Sequence, residues 1–289
     1  MSLCKFNSSD SWGILTSLES QIKTKIELLG VPLKDWEINI YRGILTGYNE
    51  AFIITKEKKE ELIDIDPKSV EIIRPILRGR DIKRYGYEFG DLWLINMHNG
   101  IKESGLKPVK IDDYPAIKQH LDEHYTDLEK RSDKGDTPYN LRNCAYMEDF
   151  FKQKLLWAET MRIHKNTSNK FPRFGFDNGG ELLTDKTCFF ATGPNIKYIM
   201  AILNSTLGRY LCSQYVSILD DGGYLMQKIY LEKIPIPTEI PKVSELTDQL
   251  LIEENSAKIN RIEEEIDSLI FSAFQLAPEE ISFIHSTLQ

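Results

Sequence analysis

The sequence has 289 residues, a formal net charge of -8 and 41% hydrophobic residues, which is typical of a folded globular protein. This composition excludes disordered and collagen-like classes. The charge is unevenly distributed: residues 239–289 carry 11 acidic and 3 basic side chains, whereas residues 1–238 carry 33 of each. Because the first 238 residues are neutral, the acidic total does not exclude a nucleic-acid partner for them.

The cysteines and apolar runs indicate the cellular compartment. Four cysteines lie far apart without a CxxC pair, so we expect reduced thiols and a cytoplasmic protein. The apolar runs are shorter than the ~18–20 residues of a membrane span, and the N-terminus lacks a signal-peptide pattern. No membrane partner is expected.

Hydrophobic periodicity predicts the elements in chain order. The apolar stripe of residues 11–29 indicates an amphipathic helix, which we interpret as a packing face, with docking on a partner as the alternative. The other predictions are short strands joined by a turn at 36–55, helical segments at 56–62 and 67–75, a strand at 90–98, a helix at 114–131, a loop at 131–143, strands at 154–160 and 182–192, a helix at 195–215, a proline-stiffened linker at 234–237, and an acidic helix at 243–275 that breaks near Glu253.

Catalytic and metal-binding motifs are absent from the sequence. It contains no GxGxxG, GxxxxGK[ST], HExxH or GxSxG, and no Asn- or Asp-Pro-Pro-aromatic motif. We therefore expect no catalytic residues and no cofactor in this chain. His120 and His124 have the i, i+4 spacing of two metal ligands on a helix, but no third ligand is evident nearby. An exposed helix surface without metal is the preferred interpretation.

Basic residues form two clusters in the neutral part of the chain. Six basic residues accompany two acidic ones between Lys68 and Arg84, and six accompany one acidic residue between Lys152 and Arg173. Such clusters neutralise phosphates, and Arg, Asn and Gln read base edges. Solubilising surface charge or pairing with acids elsewhere remains the alternative.

Six segments, in this order, carry a family resemblance: YRGILTGYNEAFII (41–54), IIRPILRGRDIKRY (72–85), RSDKGDTPYNLRN (131–143), FFKQKLLWAET (150–160), AILNSTLGRYL (201–211) and YLEKIPIP (230–237). The chain resembles the C-terminal target-recognition domain of type IIG restriction-modification enzymes and of Taq-type adenine-specific DNA methyltransferases. The resemblance covers residues 12–285. In that family an upstream methyltransferase domain binds S-adenosylmethionine and flips the target adenine, an upstream nuclease domain is present in some members, and this domain selects the sequence.

The resemblance implies a non-catalytic domain that binds double-stranded DNA and is partnered by a methyltransferase domain or subunit. The expected DNA-binding residues are Asn49, Arg78, Arg80, Lys83, Arg84, Tyr139, Asn140, Arg142, Arg162, Lys165 and Arg173. Two alternatives stay open at this stage. In the first, Arg78 and Arg80 fold back onto carboxylates such as Asp81 and do not contact DNA. In the second, Arg142 is a buried buttress that supports the 131–143 loop.

We expect an α+β fold: a mixed α/β target-recognition core with twisted, largely antiparallel strands, an N-terminal helix and a C-terminal helical region. The corresponding division is a connecting helix at 1–36, the target-recognition domain at 37–238 and the acidic helical region at 239–289. We expect that the acidic region faces away from the duplex or contacts another protein. A fragment of a longer enzyme is favoured over the alternative, a separately encoded specificity subunit that acts mainly by protein-protein docking.

Overall fold

The computed structural model describes residues 16–162 and 171–288. The helices are α1 (Ser17–Leu29), α2 (Asn49–Phe52), α3 (Lys56–Ile65), α4 (Pro115–Asp122), α5 (Tyr125–Lys130), α6 (Ile196–Asn204), α7 (Thr206–Tyr215), α8 (Lys228–Leu231), α9 (Pro241–Leu250), α10 (Ser256–Ala273) and α11 (Pro278–Thr287). The strands are β1 (Gly30–Pro32), β2 (Asn39–Arg42), β3 (Ile53–Thr55), β4 (Ile73–Leu77), β5 (Ile82–Lys83), β6 (Gly86–Tyr87), β7 (Leu92–Ile95), β8 (Lys154–Ala158), β9 (Thr160–Met161), β10 (Gly175–Asp177), β11 (Leu183–Thr184), β12 (Cys188–Thr192), β13 (Ser217–Ile218), β14 (Tyr224–Leu225) and β15 (Pro235–Pro237).

A four-stranded antiparallel sheet, in the order β10-β8-β12-β2, separates two hydrophobic cores. Successive side chains of a strand point to opposite faces of its sheet. Leu155 and Trp157 of β8 accordingly pack in the first core, and Leu156 packs in the second. All five residues of β8 and all five of β12 are buried, which is the pattern of strands covered on both faces.

The two cores bring together different parts of the chain. The first core contains apolar residues of α1, α6, α7, α9, α10 and α11. The second contains residues of α2 to α5 and of a smaller sheet, in the order β11-β4-β7-β3. Among the described strand pairs only β11 and β4 are parallel, so the expected α+β fold with largely antiparallel strands is confirmed. No helix within the described ranges is both long and apolar enough to cross a bilayer.

The N-terminal and C-terminal elements pack against each other. Ile22 and Ile26 of α1 are buried in the first core, so the described part of the predicted stripe is a packing face. Lys25 Nζ donates to Glu280 Oε2 of α11 at 2.6 Å. Strand β1 pairs with β15, in which Ile236 is fully buried opposite Val31. The linker interpretation of residues 234–237 is therefore wrong.

Other predicted elements also differ from the structure. The helix predicted at 114–131 is divided into α4 and α5, and the strand predicted at 182–192 is divided into β11 and β12, which belong to different sheets. Strands β2 and β3 belong to different sheets, with α2 between them, so they do not form the expected pair joined by a turn. The helical interpretation of residues 67–75 is wrong from Ile73 onward, where β4 begins after a short 3₁₀ turn. The helix predicted at 195–215 is interrupted at Ser205, whose Oγ accepts from Gly208 N at 2.9 Å and caps α7.

Gly43 lies where β2 leaves the central sheet and approaches the loop before β12. A Cβ atom at this position would lie 1.9 Å from Asp185 O, whereas a Cβ at Gly86 would meet nothing within 4 Å. We expect Gly43→Ala to lower the free energy of unfolding by about 3 kcal/mol, because backbone must move to relieve the overlap. Urea denaturation measures this change. Gly86→Ala is the control, and an equal effect of both variants would contradict the prediction.

Candidate nucleic-acid interface

Four strand termini meet at one end of the central sheet. Because neighbouring strands are antiparallel, β2 and β8 end where β12 and β10 begin: Cys188 lies opposite Ala158, and Gly175 lies opposite Leu156. Loops that are distant in sequence therefore become neighbours at this end of the sheet. The basic clusters of the sequence contribute to these loops.

A depression of about 590 Å³, here called the cationic groove, lies at this end of the sheet. Its lining includes five cations from three segments that are separate in sequence, and two carboxylates, Glu159 and Asp185. The five cations are Arg78, Arg80, Lys83, Arg162 and Arg173. The fold thus joins the two basic clusters into one surface.

A tight turn presents Arg80 at the groove. The Arg78 guanidinium donates to both carboxylate oxygens of Asp81 at 2.9 Å, and Gly79 N donates to Thr187 Oγ1 at 3.0 Å. The hydrogen bonds to Asp81 raise the pKa of Arg78, and together with the Gly79 contact they fix the turn between Arg78 and Asp81. Arg80 is exposed, and no carboxylate within the described residues pairs with it. The fold-back alternative therefore describes Arg78 and not Arg80.

The backbone that carries Arg173 is fixed by Asn204, which is 1% exposed. Phe174 N donates to Asn204 Oδ1 at 3.0 Å, and Asn204 Nδ2 donates to Phe174 O at 2.8 Å. Partial burial lowers the pKa of Arg173 from the ordinary arginine value. No ion pair to Arg173 is found in the part of the chain that the structure describes, so its charge faces the groove without a carboxylate partner.

The other groove cations have exposed partners. Lys83 pairs with Glu88 at 3.2 Å, and Arg162 pairs with Asp221. Exposed ion pairs contribute little net energy, so such cations exchange a carboxylate for a phosphate at low cost.

A second depression, of about 520 Å³, adjoins the groove. It is lined by Arg142 together with Arg42 and Lys186, and Lys186 stands between two groove residues in sequence. Arg42 donates to Glu159 Oε2 of the groove at 2.7 Å. Arg142 has a 63% exposed side chain, so its interpretation as a buried buttress is wrong. Arg42 and Lys186 lie outside both basic clusters, so the clustering of charge in the sequence does not point to them.

The buttress of the 131–143 loop is Arg131. Its guanidinium donates to the carbonyl oxygens of Thr46, Pro138 and Asn140, the last two at 2.9 Å and 2.6 Å. Burial lowers the pKa of Arg131 to about 10. The sequence signal for this role is its position at the start of a loop rich in Asp, Gly and Pro.

Three further expected DNA-binding residues line neither depression and have internal partners. Asn140 is 4% exposed, and its Nδ2 donates to Val109 O at 2.9 Å. Tyr139 Oη donates to Asp122 Oδ1 at 2.5 Å, and Asn49 Oδ1 accepts from Thr46 Oγ1 at 2.5 Å. In the structure these side chains make hydrogen bonds within the protein that stabilise its loops, and their contact with DNA stays a prediction.

Arg84 connects the body to the acidic C-terminal region. Its Nε donates to Glu263 Oε1 of α10 at 2.8 Å, and both side chains are largely buried. A third depression, lined by Lys83, Arg173, Glu253 and Glu263, lies between the groove and α10. The acidic region thus packs on its own chain and borders the groove at this point. Lys165 lies outside the described residues.

The described residues form a domain with a cationic groove at one end of a sheet that is covered on both sides. The chain belongs to the TaqI-like C-terminal specificity domain family, whose sequence model matches residues 74–236, more than half of the chain. The resemblance drawn from the six motifs is thereby confirmed.

Two similar proteins are larger than this chain. The Type II methyltransferase M.BstVI of Geobacillus stearothermophilus is 23% identical over 251 residues, which are 86% of this chain and 41% of the methyltransferase. The Type IIL restriction-modification enzyme MmeI, whose structure was solved in complex with DNA, superposes with a TM-score of 0.66 at 14% identity. That match covers 89% of this chain and 36% of MmeI and shows a shared fold.

Proposed function

We propose that this chain recognises a specific double-stranded DNA sequence for a restriction-modification enzyme. It holds the duplex for a methyltransferase domain or subunit that modifies an adenine within the target. The observation that carries the proposal is the groove, in which five cations from three segments converge at one end of the central sheet. Membership in a specificity-domain family and the DNA complex of MmeI support it.

Duplex DNA presents two rows of phosphates, and anchored cations fix a protein in register along them. Arg80 and Arg173 suit this role best, because each stands on a fixed backbone without a carboxylate partner among the described residues. Arg80, on its tight turn, is our first candidate for reading a guanine edge in the major groove. Arg42, Arg142 and Lys186 extend the positive surface beyond the groove.

The catalytic part of the reaction belongs to other regions of the parent enzyme. We assign adenine methylation and the binding of S-adenosylmethionine to an upstream methyltransferase region. The cationic groove does not fit this cofactor, because five cations would repel its positively charged sulfonium. We also propose that the chain is divided into a connecting helix at 1–36, the target-recognition domain at 37–238 and an acidic helical region at 239–289. In this division α1 connects the domain to the methyltransferase region of a cytoplasmic enzyme.

Titration of the purified chain against mixed-sequence duplexes, followed by fluorescence anisotropy, tests the proposal. We expect binding at low salt and a linear fall of log K with log salt concentration, because each phosphate contact releases a counterion. Salt-independent binding, or no binding at low ionic strength, would contradict the proposal.

Replacement of Arg84 separates a stabilising role from a DNA-binding role. Arg84→Ala removes a largely buried cation that pairs with Glu263, and we expect it to lower the free energy of unfolding by about 2 kcal/mol. The salt dependence of duplex binding should stay unchanged. Lys83→Ala is the matched control, since Lys83 pairs with the exposed Glu88 and lines the groove. It should reduce the slope of log K against log salt concentration by about 1 and leave the free energy of unfolding unchanged. A changed salt slope in Arg84→Ala together with a loss of stability in Lys83→Ala would contradict both assignments.

A further inference from the structure

A second cluster with recognisable chemistry lies at the corner between α4 and α5. His120 belongs to α4, and Glu123 and His124 form the junction with α5. One ligand atom of each residue lies within 4.8 Å of the other two. Glu123 and His124 follow His120 by three and four residues, about one helical turn, which brings the three side chains together at the corner.

His120 has an unused nitrogen in the protein interior. The side chain is 6% exposed, so the interpretation of an exposed helix surface is wrong for this residue. Its Nε2 lies 2.9 Å from Ala51 O, which only accepts, so Nε2 carries the proton and donates. Nδ1 therefore bears a lone pair, and it is buried without a hydrogen-bond partner among the described residues.

This arrangement is that of an oriented metal ligand. Histidines that bind metal ions almost always donate their other ring nitrogen to a carbonyl or carboxylate, which fixes the tautomer. The bond to Ala51 O supplies this contact.

We propose that His120, Glu123 and His124 bind a divalent transition-metal ion, with zinc as the best fit. Two imidazoles and one carboxylate form a ligand set of zinc, which leaves a fourth position for water. Ligands at about 2.1 Å from zinc stand about 3.4 Å apart in a tetrahedron. The ligand atoms of the structure lie up to 4.8 Å apart, so they must approach one another to reach this spacing. The side chains of the exposed Glu123 and the half-buried His124 are free to make this movement. Lys58, the cation facing His120 from α3, pairs with Glu61 at 2.9 Å.

The metal ion would brace a corner that touches two other segments. His120 contacts the 48–52 segment through Ala51, and Asp122, which precedes Glu123, accepts from Tyr139 of the 131–143 loop. The proposed role of the ion is to hold this corner together, and this role is independent of the proposed DNA recognition.

Metal uptake by the purified chain tests the proposal. After removal of metals with a chelator, Zn²⁺ or Co²⁺ is added, and bound metal is measured by elemental analysis and by the visible absorption of Co²⁺. We expect one ion per chain, and a Tm increase of a few degrees at saturating metal.

His124→Ala is the main variant, since His124 is only half-buried and belongs to neither hydrophobic core. It should abolish stoichiometric uptake, and Glu123→Gln, which removes the charge of a direct ligand, should weaken the affinity. His285→Ala, which removes an exposed histidine of α11, should bind metal as the unaltered chain does. Absence of Zn²⁺ and Co²⁺ uptake, or equal uptake by His124→Ala, would overturn the proposal.

Discussion

Replacement of Arg80 and Arg173 together with alanine is expected to weaken duplex binding by about tenfold or more at moderate salt. The slope of log K against log salt should fall by about 2, because two phosphate contacts are lost. Both side chains line the cationic groove without an ion-pair partner in the described residues, so neither holds a carboxylate in place. The free energy of unfolding should therefore stay unchanged, which urea denaturation checks.

The matched control for this double variant is Arg261→Ala. Arg261 is an exposed arginine of α10 that does not line the groove or the adjoining depressions. It changes the net charge by one unit, so a general electrostatic effect would appear in this control. An equal loss of duplex affinity per removed charge in Arg261→Ala and in the double variant would show that the groove is not the DNA-binding surface.

Lys154→Met is expected to lower the free energy of unfolding by about 3–5 kcal/mol. Lys154 is fully buried in the central sheet, pairs with Asp177 and donates to Phe150 O at 2.6 Å. Asp177 is 2% exposed and also accepts from Gly180 N and Leu182 N at 3.0 Å and 3.1 Å. Removal of the ammonium group leaves a buried carboxylate without its counter-charge, and this uncompensated charge is the cause of the loss.

Lys152→Met makes the same chemical change two residues earlier in the chain. Lys152 has a 61% exposed side chain and pairs with Asp149 at 2.8 Å, so we expect a change within about 0.5 kcal/mol. Urea denaturation of both variants gives the comparison. If Lys154→Met proved as stable as Lys152→Met, the buried ion pair would not stabilise the central sheet as inferred.

The sequence predicted those parts of the fold in which periodicity is strong and local. The stripe of α1 and the buried run of β8 are of this kind. The two prolines of the 234–237 segment are typical of a linker, so the local pattern predicts the wrong structure there. In the structure its Ile236 pairs with Val31, a partner about 200 residues away in sequence that periodicity does not reveal. The helix break at Ser205 coincides with side-chain capping of α7, and neither this break nor the one near Glu123 is visible in the continuous apolar pattern.

The positive charge of the candidate site could be predicted from the sequence, but the interaction partners of its side chains could not. The two basic clusters supplied all five groove cations. Charge counting could not show that Arg84 pairs with Glu263, which is 179 residues away, or that Asn140 contacts Val109. Arg42 and Lys186 could not be predicted as part of the site, because each is an isolated cation in sequence. Only the antiparallel register of β2 and β12 makes them neighbours.

Selection of bound duplexes from a random-sequence library, followed by sequencing, tests sequence recognition by this chain most directly. At low salt the unaltered chain should enrich one defined sequence motif, and the Arg80→Ala variant should lose enrichment at one or more positions of that motif. Recovery of the library without an enriched motif would contradict the conclusion that this chain reads DNA sequence.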